Sequence, residues 1–224
     1  NKGIEAMLSA PPVRTDDFEW VVSANFTKNW SEVVSLPESL GGESEIYGLS
    51  GGAGLYAIVG EPVGVFKAET PKMTPDGKIV VNAATGLPVA QDEMQILGDI
   101  NYDYELGLSS TLSYKGLSLS ADMDIRKGGL MYSRTKDIEF FTGNAIQTAF
   151  NDRNDFIIPN SVNEVVDGEG NVTYVENTTA IGMSGVNSYI YDYWEGGGSE
   201  MEGGWLIDKS YVKLRSVVLS YELP

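Results

Sequence analysis

The sequence contains no histidine and no cysteine. Their absence removes the usual zinc sites, thiol nucleophiles, Ser-His-Asp triads and any disulfide framework. Basic residues are scarce, 15 against 32 acids in 224 residues, for a net charge of −17. Phosphate backbones are gripped by Lys and Arg that displace counterions, so nucleic acid is excluded as a partner. No apolar run approaches the roughly 18–20 residues of a membrane helix; Leu55–Val59 is typical of the longest. With 42% hydrophobic residues the chain is also too apolar for a disordered acidic tail.

What remains is two-residue alternation, the mark of strands with two unlike faces. Phe18, Trp20, Val22, Ala24 and Phe26 share one face of a first segment, with Glu19, Ser23, Asn25 and Thr27 opposite. Tyr104, Leu106, Leu108, Leu112 and Tyr114 alternate with Glu105, Gly107, Ser109, Thr111 and Ser113. After a Lys115-Gly116 turn, Leu117, Leu119, Ala121, Met123 and Ile125 alternate with Ser118, Ser120, Asp122, Asp124 and Arg126. This predicts a hairpin of strands about ten residues long, where soluble strands average about five or six and membrane-crossing ones about 9–11. Tyr104 and Tyr114 at opposite ends of the apolar face match the aromatic girdles of an outer-membrane barrel. On its own, this hairpin fits a long-stranded soluble sandwich equally well.

Two further alternating segments bracket the chain. Ile4, Ala6, Leu8 and Ala10 share a side until Pro11-Pro12, where the strand is expected to stop. From Ser210 to Leu223 the facing is ambiguous: Val212 and Leu214 point opposite to Val217, Leu219 and Tyr221 in strict alternation, and a bulge somewhere between them is required. Residues 31–103 and 128–209 read as irregular connections, punctuated by turn signals such as Asp76-Gly77 and Thr85-Gly86. Within the second, 137–202 carries −11 of the charge, with Arg153 its sole base. Connections of this length are functional or absent in compact soluble domains. A short turn at one end of the hairpin and a long acidic loop at the other is the asymmetry of outer-membrane barrels.

These segments resemble the SusC/RagA-type TonB-dependent outer-membrane transporters of Bacteroidota. The resemblance rests on the opening Asn1-Lys2-Gly3-Ile4-Glu5 and on Trp20, Asn25, Asn29 and Val33, followed by Leu36. It continues through Glu61-Pro62-Val63-Gly64 and through Leu97-Gly98-Asp99-Ile100-Asn101, where Tyr102 replaces the usual Pro. Tyr114-Lys115-Gly116, Arg126-Lys127-Gly128-Gly129 with Tyr132, and Ser210-Tyr211-Val212-Lys213-Leu214-Arg215 with Leu219, Tyr221, Leu223 and Pro224 complete it.

The resemblance implies an all-β, antiparallel segment of a 22-stranded transmembrane β-barrel in the outer membrane. Twenty-two strands of about ten residues would consume some 220 residues without loops. Residues 1–224 are therefore expected to be a partial C-terminal barrel region truncated at both ends, with 128–209 as an extracellular loop and Lys115-Gly116 on the periplasmic side. No plug domain or TonB box is recognisable. The implied partners are a SusD-like surface lipoprotein, a TonB complex acting through the missing plug, outer-membrane lipid, and an oligosaccharide or peptide cargo. Deleting 137–202 is expected to weaken docking or uptake while sparing insertion.

No catalytic constellation, metal site or cofactor is expected, and no enzyme activity. Asp122 and Asp124 read as a water- or lumen-facing strand surface rather than an acid/base pair. Asp167-Gly168-Glu169-Gly170-Asn171 alternates oxygen ligands as calcium loops do, yet lacks the bidentate Glu, so a polar hairpin turn is the simpler reading. Arg153, among Asp152, Asn154 and Asp155, is expected to make an ion pair. The candidate binding residues are Tyr189, Tyr191, Tyr193, Trp194 and Trp205, beside Gly196-Gly197-Gly198. Such rings stack on sugars or grasp peptides, or else pack inside the loop or on a partner. The competing reading of the whole chain is a soluble secreted β-sandwich that binds carbohydrate through these rings.

Overall fold

The computed structural model describes residues 1–49, 52–185, 188–196 and 198–223. Gly197 of the glycine run and Pro224 of the closing motif lie outside the described residues. The chain opens with β1 (Lys2–Arg14) and β2 (Phe18–Trp30). A first excursion holds β3 (Glu43–Gly48), β4 (Ala53–Ile58), β5 (Val65–Ala68), β6 (Ile79–Val81) and β7 (Gln95–Asp99). The hairpin β8 (Tyr104–Tyr114) and β9 (Leu117–Lys127) follows. A second excursion holds β10 (Leu130–Tyr132), α1 (Arg134–Phe141), β11 (Ser161–Val166), β12 (Val172–Glu176), α2 (Ile190–Glu195) and β13 (Leu206–Asp208), before β14 (Tyr211–Tyr221) closes the chain.

The long strands form one antiparallel sheet in the order β1-β2-β8-β9-β14. Its register aligns the alternation of neighbouring strands. Phe26 pairs with Leu106 and Leu106 with Ile125 on one face, while Ser23 pairs with Ser109 and Ser109 with Asp122 on the other. Tyr104 and Tyr114 lie ten residue steps apart on the apolar face. At about 3.3 Å per residue that is about 33 Å of strand, which a tilt of about 40° reduces to about 25 Å, the height of an outer-membrane apolar band. Trp30 and Tyr104 mark one end of this face, Phe18, Tyr114 and Tyr221 the other. The sheet is open: β1 and β14 are edges, and it does not close into a barrel within these residues.

Two bulges keep the faces intact. The first strand does not stop at Pro11-Pro12. It runs on to Arg14 with a register shift between Ala10 and Val13, where both prolines face the single residue Val21. Proline has no N–H for a ladder, and a bulge is where that loss is tolerated. The extra residue restores parity, so Val13 pairs with Trp20 on the apolar face. In β14 the shift falls between Leu214 and Ser216, leaving Arg215 as the extra residue. Val212, Leu214, Val217, Leu219 and Tyr221 thereby share the apolar face, which resolves the facing that strict alternation left ambiguous.

Both excursions leave from the same end of the sheet, while the tight Lys115-Gly116 turn and the short Thr15–Asp17 link sit at the other. Neither excursion is the irregular connection that its turn signals predicted, because each folds through pairing with distant residues. β3, β4, β5 and β7 form a four-stranded sheet, and β10 pairs with β13. β6 joins the excursions to each other, pairing in parallel with β11 at Ile79–Ser161, Val80–Val162 and Val81–Asn163. Lys72 and Glu164 form an ion pair at 2.7 Å across this junction. Gly86, at φ +75°, lets the Thr179 carbonyl approach to 2.8 Å of where a Cβ would stand. Residues 137–202 are thus half of a joint body rather than a removable loop.

Candidate functional site

The joint body formed by the two excursions has two small apolar cores. Val81, Ile158, Ile181, Met183 and Tyr193 form one, and Phe140, Ala145 and Trp205 the other. Local chemistry sets the elements that carry them. Ser133 caps α1 by accepting from the Lys136 N–H. Arg153 donates to the carbonyls of Thr148 and Gly143, so its guanidinium satisfies turn carbonyls instead of making the expected ion pair. The stretch from Asp167 to Asn171 is the β11–β12 hairpin turn: Asp167 accepts from the backbone N–H groups of Glu169 and Asn171 and from the Asn171 side chain. These donors hold the Asp167 carboxyl below the ordinary range, with the Asn171 side chain the largest cause. Among the described residues no group of three or more acidic side chains is placed to hold a metal ion.

The five rings singled out in the sequence take different positions. Trp205 is fully buried, edge-on to Phe140 at 5.0 Å, and among the described residues nothing accepts from its Nε1. Tyr193 is buried, with Phe156 at 5.5 Å and Trp194 at 4.7 Å. Trp194 is half-buried and bridges the two cores, reaching Phe140 at 5.8 Å. Tyr189 packs against the first core. Tyr191 turns outward onto Phe141 at 5.8 Å, and a hydrogen bond with Glu195 raises its phenol above the ordinary value.

Tyr193, Trp194 and Trp205 therefore come together, and Tyr189 and Tyr191 do not join them. The three line a groove of about 760 Å³ with Phe140, Phe150 and Phe156. Those phenylalanines were not singled out in the sequence, although all three lie in the same acidic segment. A continuous run of ring contacts, Phe150–Phe156–Tyr193–Trp194–Phe140–Trp205, edge-to-face except for the tilted Trp194–Phe140 pair, lines the groove. Lys136 and Glu200 are its charged members. The arrangement offers mainly apolar ring surface.

Long strands with unlike faces and all large excursions at one end are the asymmetry of outer-membrane β-architecture. The comparisons agree. No family model matches the sequence. TonB-dependent receptor P39 of Formosa agariphila is 37% identical over 79 residues, 34% of this chain and 8% of its own. TonB-dependent receptor P26 of the same organism is 24% identical over 243 residues, 100% of this chain and 22% of its own. A chain of the RagAB peptide importer, solved in a closed-closed state, superposes over 99% of this chain and 23% of its own, with a TM-score of 0.57 and 19% identity. The resemblance to SusC/RagA-type TonB-dependent transporters holds, in sequence through the two receptors and in fold through the importer. The chain spans less than a quarter of each of these proteins.

Proposed function

We propose that this chain supplies wall strands and outer loops to a TonB-dependent importer in the outer membrane, and is not an enzyme. The single observation that carries the reading is the uncovered apolar face of the long sheet. Leu8 is 70% exposed, Leu214 63% and Leu219 67%, on strands whose other faces carry Glu5 and Ser9 in β1 and Lys213, Ser216 and Ser220 in β14. A contiguous apolar band of this extent needs a covering, and hydrocarbon between two aromatic rows is one that its height fits. The competing β-sandwich requires a second sheet over this face. The other sheets belong instead to the excursions at the strand ends.

In this reading β1 and β14 pair with further strands of a closed barrel, since unpaired edges are costly in lipid. The Lys115-Gly116 turn lies on the periplasmic side and the joint outer body outside. The aromatic groove receives an oligosaccharide or peptide cargo, or a SusD-like lipoprotein that delivers it, with Trp194 as the contact ring and Tyr193 and Trp205 as its packing bed. The RagAB structure, named a peptide importer, supports a two-component arrangement of this kind. A TonB complex supplies energy through a plug domain elsewhere in the polypeptide.

The test is the size and location of the native polypeptide carrying this sequence. An antibody to residues 137–202 is used to blot fractionated cells, boiled and unboiled. A heat-modifiable outer-membrane band several times larger than 24.3 kDa supports the importer. A soluble or secreted band near 24.3 kDa overturns it.

A further inference from the structure

Acidic residues outnumber basic ones 32 to 15 in this chain, and five of its ten lysines pair with them. Lys67 pairs with Glu43, Lys72 with Glu164, Lys78 with Asp76, Lys115 with Asp17, and Lys127 with Asp208. Lys209 and Lys213 differ. Each ammonium rests on a tyrosine ring face instead, Lys209 over Tyr102 and Lys213 over Tyr211, both at 4.3 Å from the centroid. Among the described residues neither has a carboxylate within ion-pair distance.

The reason is that the carboxylates on this part of the polar face are already engaged. Glu105 pairs with Arg126 at 2.9 Å. Asp124 stands directly opposite Lys213 in the β9–β14 register, yet its carboxylate is taken by the bulge residue Arg215. Asp122 accepts from Ser109 at 2.7 Å and Ser216 at 2.6 Å. Arg126 lies against both rings, 4.9 Å from Tyr102 and 5.6 Å from Tyr211, and so joins the two lysines into one column. A ring face holds a cation through its quadrupole without neutralising it. The column therefore presents positive charge on the polar wall, at the end of the strands where the acidic outer body begins.

We propose that Lys209 and Lys213, seated on Tyr102 and Tyr211, form an oxyanion-binding patch that takes a carboxylate or sulfate group carried by the cargo. The assignment rests on the importer reading and narrows its cargo to anionic molecules. Ammonium groups held on rings keep N–H donors free for an incoming oxygen, and charge-assisted bonds of this kind are the strong ones. In a mouth that is otherwise acidic, such a patch also focuses the field along the path of an anion.

The experiment uses the full-length outer-membrane protein that carries this segment, purified in detergent. Lysine amines are reductively methylated at one ionic strength in chloride, acetate or sulfate, and modification is read at each residue by mass spectrometry. An oxyanion at twice its dissociation constant is expected to slow modification of Lys209 and Lys213 about threefold, with Lys78 unchanged. Protection by acetate assigns a carboxylate and protection by sulfate a sulfate ester. A Tyr102→Leu/Tyr211→Leu variant that still migrates in heat-modifiable form loses the protection. Should that variant fail to assemble, Lys213→Gln is expected to weaken protection at Lys209. Equal modification in all three salts, or equal slowing at Lys78, overturns the patch. A wild-type protein without heat-modifiable migration overturns the importer reading, and the cargo assignment with it.

Discussion

Asn25 lies over Gly107 across the β2–β8 pair, its side-chain oxygen occupying the space where a Cβ on Gly107 would stand. Asn29 does the same to Gly3 across β1–β2. The two asparagines of the W…N…N…V pattern thus each pack onto a glycine, one on either neighbouring strand.

Gly107→Ala is therefore expected to destabilise the assembled protein by about 1–3 kcal/mol, as overpacking does. Asn25→Ser in the same chain makes room and should recover most of the loss. Urea midpoints of the heat-modifiable form for the two single variants and the double variant measure the coupling. Additive losses would show that the contact does not exist.

Inserting one residue between Ser216 and Val217 leaves the bulge in place and moves Val217, Leu219 and Tyr221 to the polar face. Assembly should fail altogether. Arg215→Ala keeps the bulge and removes only an exposed pair with Asp124, a change of no more than about 1 kcal/mol. Equal assembly of the insertion and the alanine variant would sink this register.

Leu219 and Val218 are adjacent, similarly exposed and on opposite faces. Leu219→Arg should cost about 1–2 kcal/mol in a bilayer or micelle, between the midplane and interfacial penalties for a charge on a lipid face, since Leu219 lies just inside the Tyr221 row. Val218→Arg, on the polar face, should be tolerated. Equal penalties from chemical denaturation in detergent would mean that neither face meets lipid.

Trp205→Ala should cost about 3–5 kcal/mol, because a fully buried indole leaves a cavity beneath the groove. Tyr191→Ala removes an exposed ring and should leave thermal unfolding of the outer body within about 0.5 kcal/mol of the parent. Melting followed by tryptophan fluorescence distinguishes the two. A mild Trp205 variant would contradict the packing.

The Asp167 turn predicts a pH response. Its carboxyl is held below the ordinary range by the Asn171 and Glu169 donors. Its contribution is thus fully present above the unfolded value of about 3.9 and is lost as pH falls through the lower, folded one. Protection factors of the Glu169 and Asn171 amides, taken relative to intrinsic exchange at each pH, should be higher at neutral pH and fall at strongly acid pH. Asp167→Asn should flatten that profile, and an unchanged profile would exclude Asp167 as the titrating group.

Alternation and turn chemistry by themselves determined the β8–β9 hairpin, because Lys115-Gly116 and ten alternating residues on each side specify register through contacts within one short stretch. They also determined which face of β2 is apolar, and that Asp167 to Asn171 make a turn. Tertiary structure alone decided where the parity breaks. Whether a strand passes Pro11-Pro12, or slips at Arg215, depends on the partner opposite, and in β14 that partner lies more than 80 residues away. The same holds for the outer body. β6 is three residues long and has no reason to be a strand until β11 arrives beside it. The aromatic residues of the second excursion read alike in sequence, yet Trp205 became a buried anchor and Tyr191 an exposed ring. Burial is a property of what packs around a side chain, and the packing here is assembled from two segments separated by the whole of the β8–β9 hairpin.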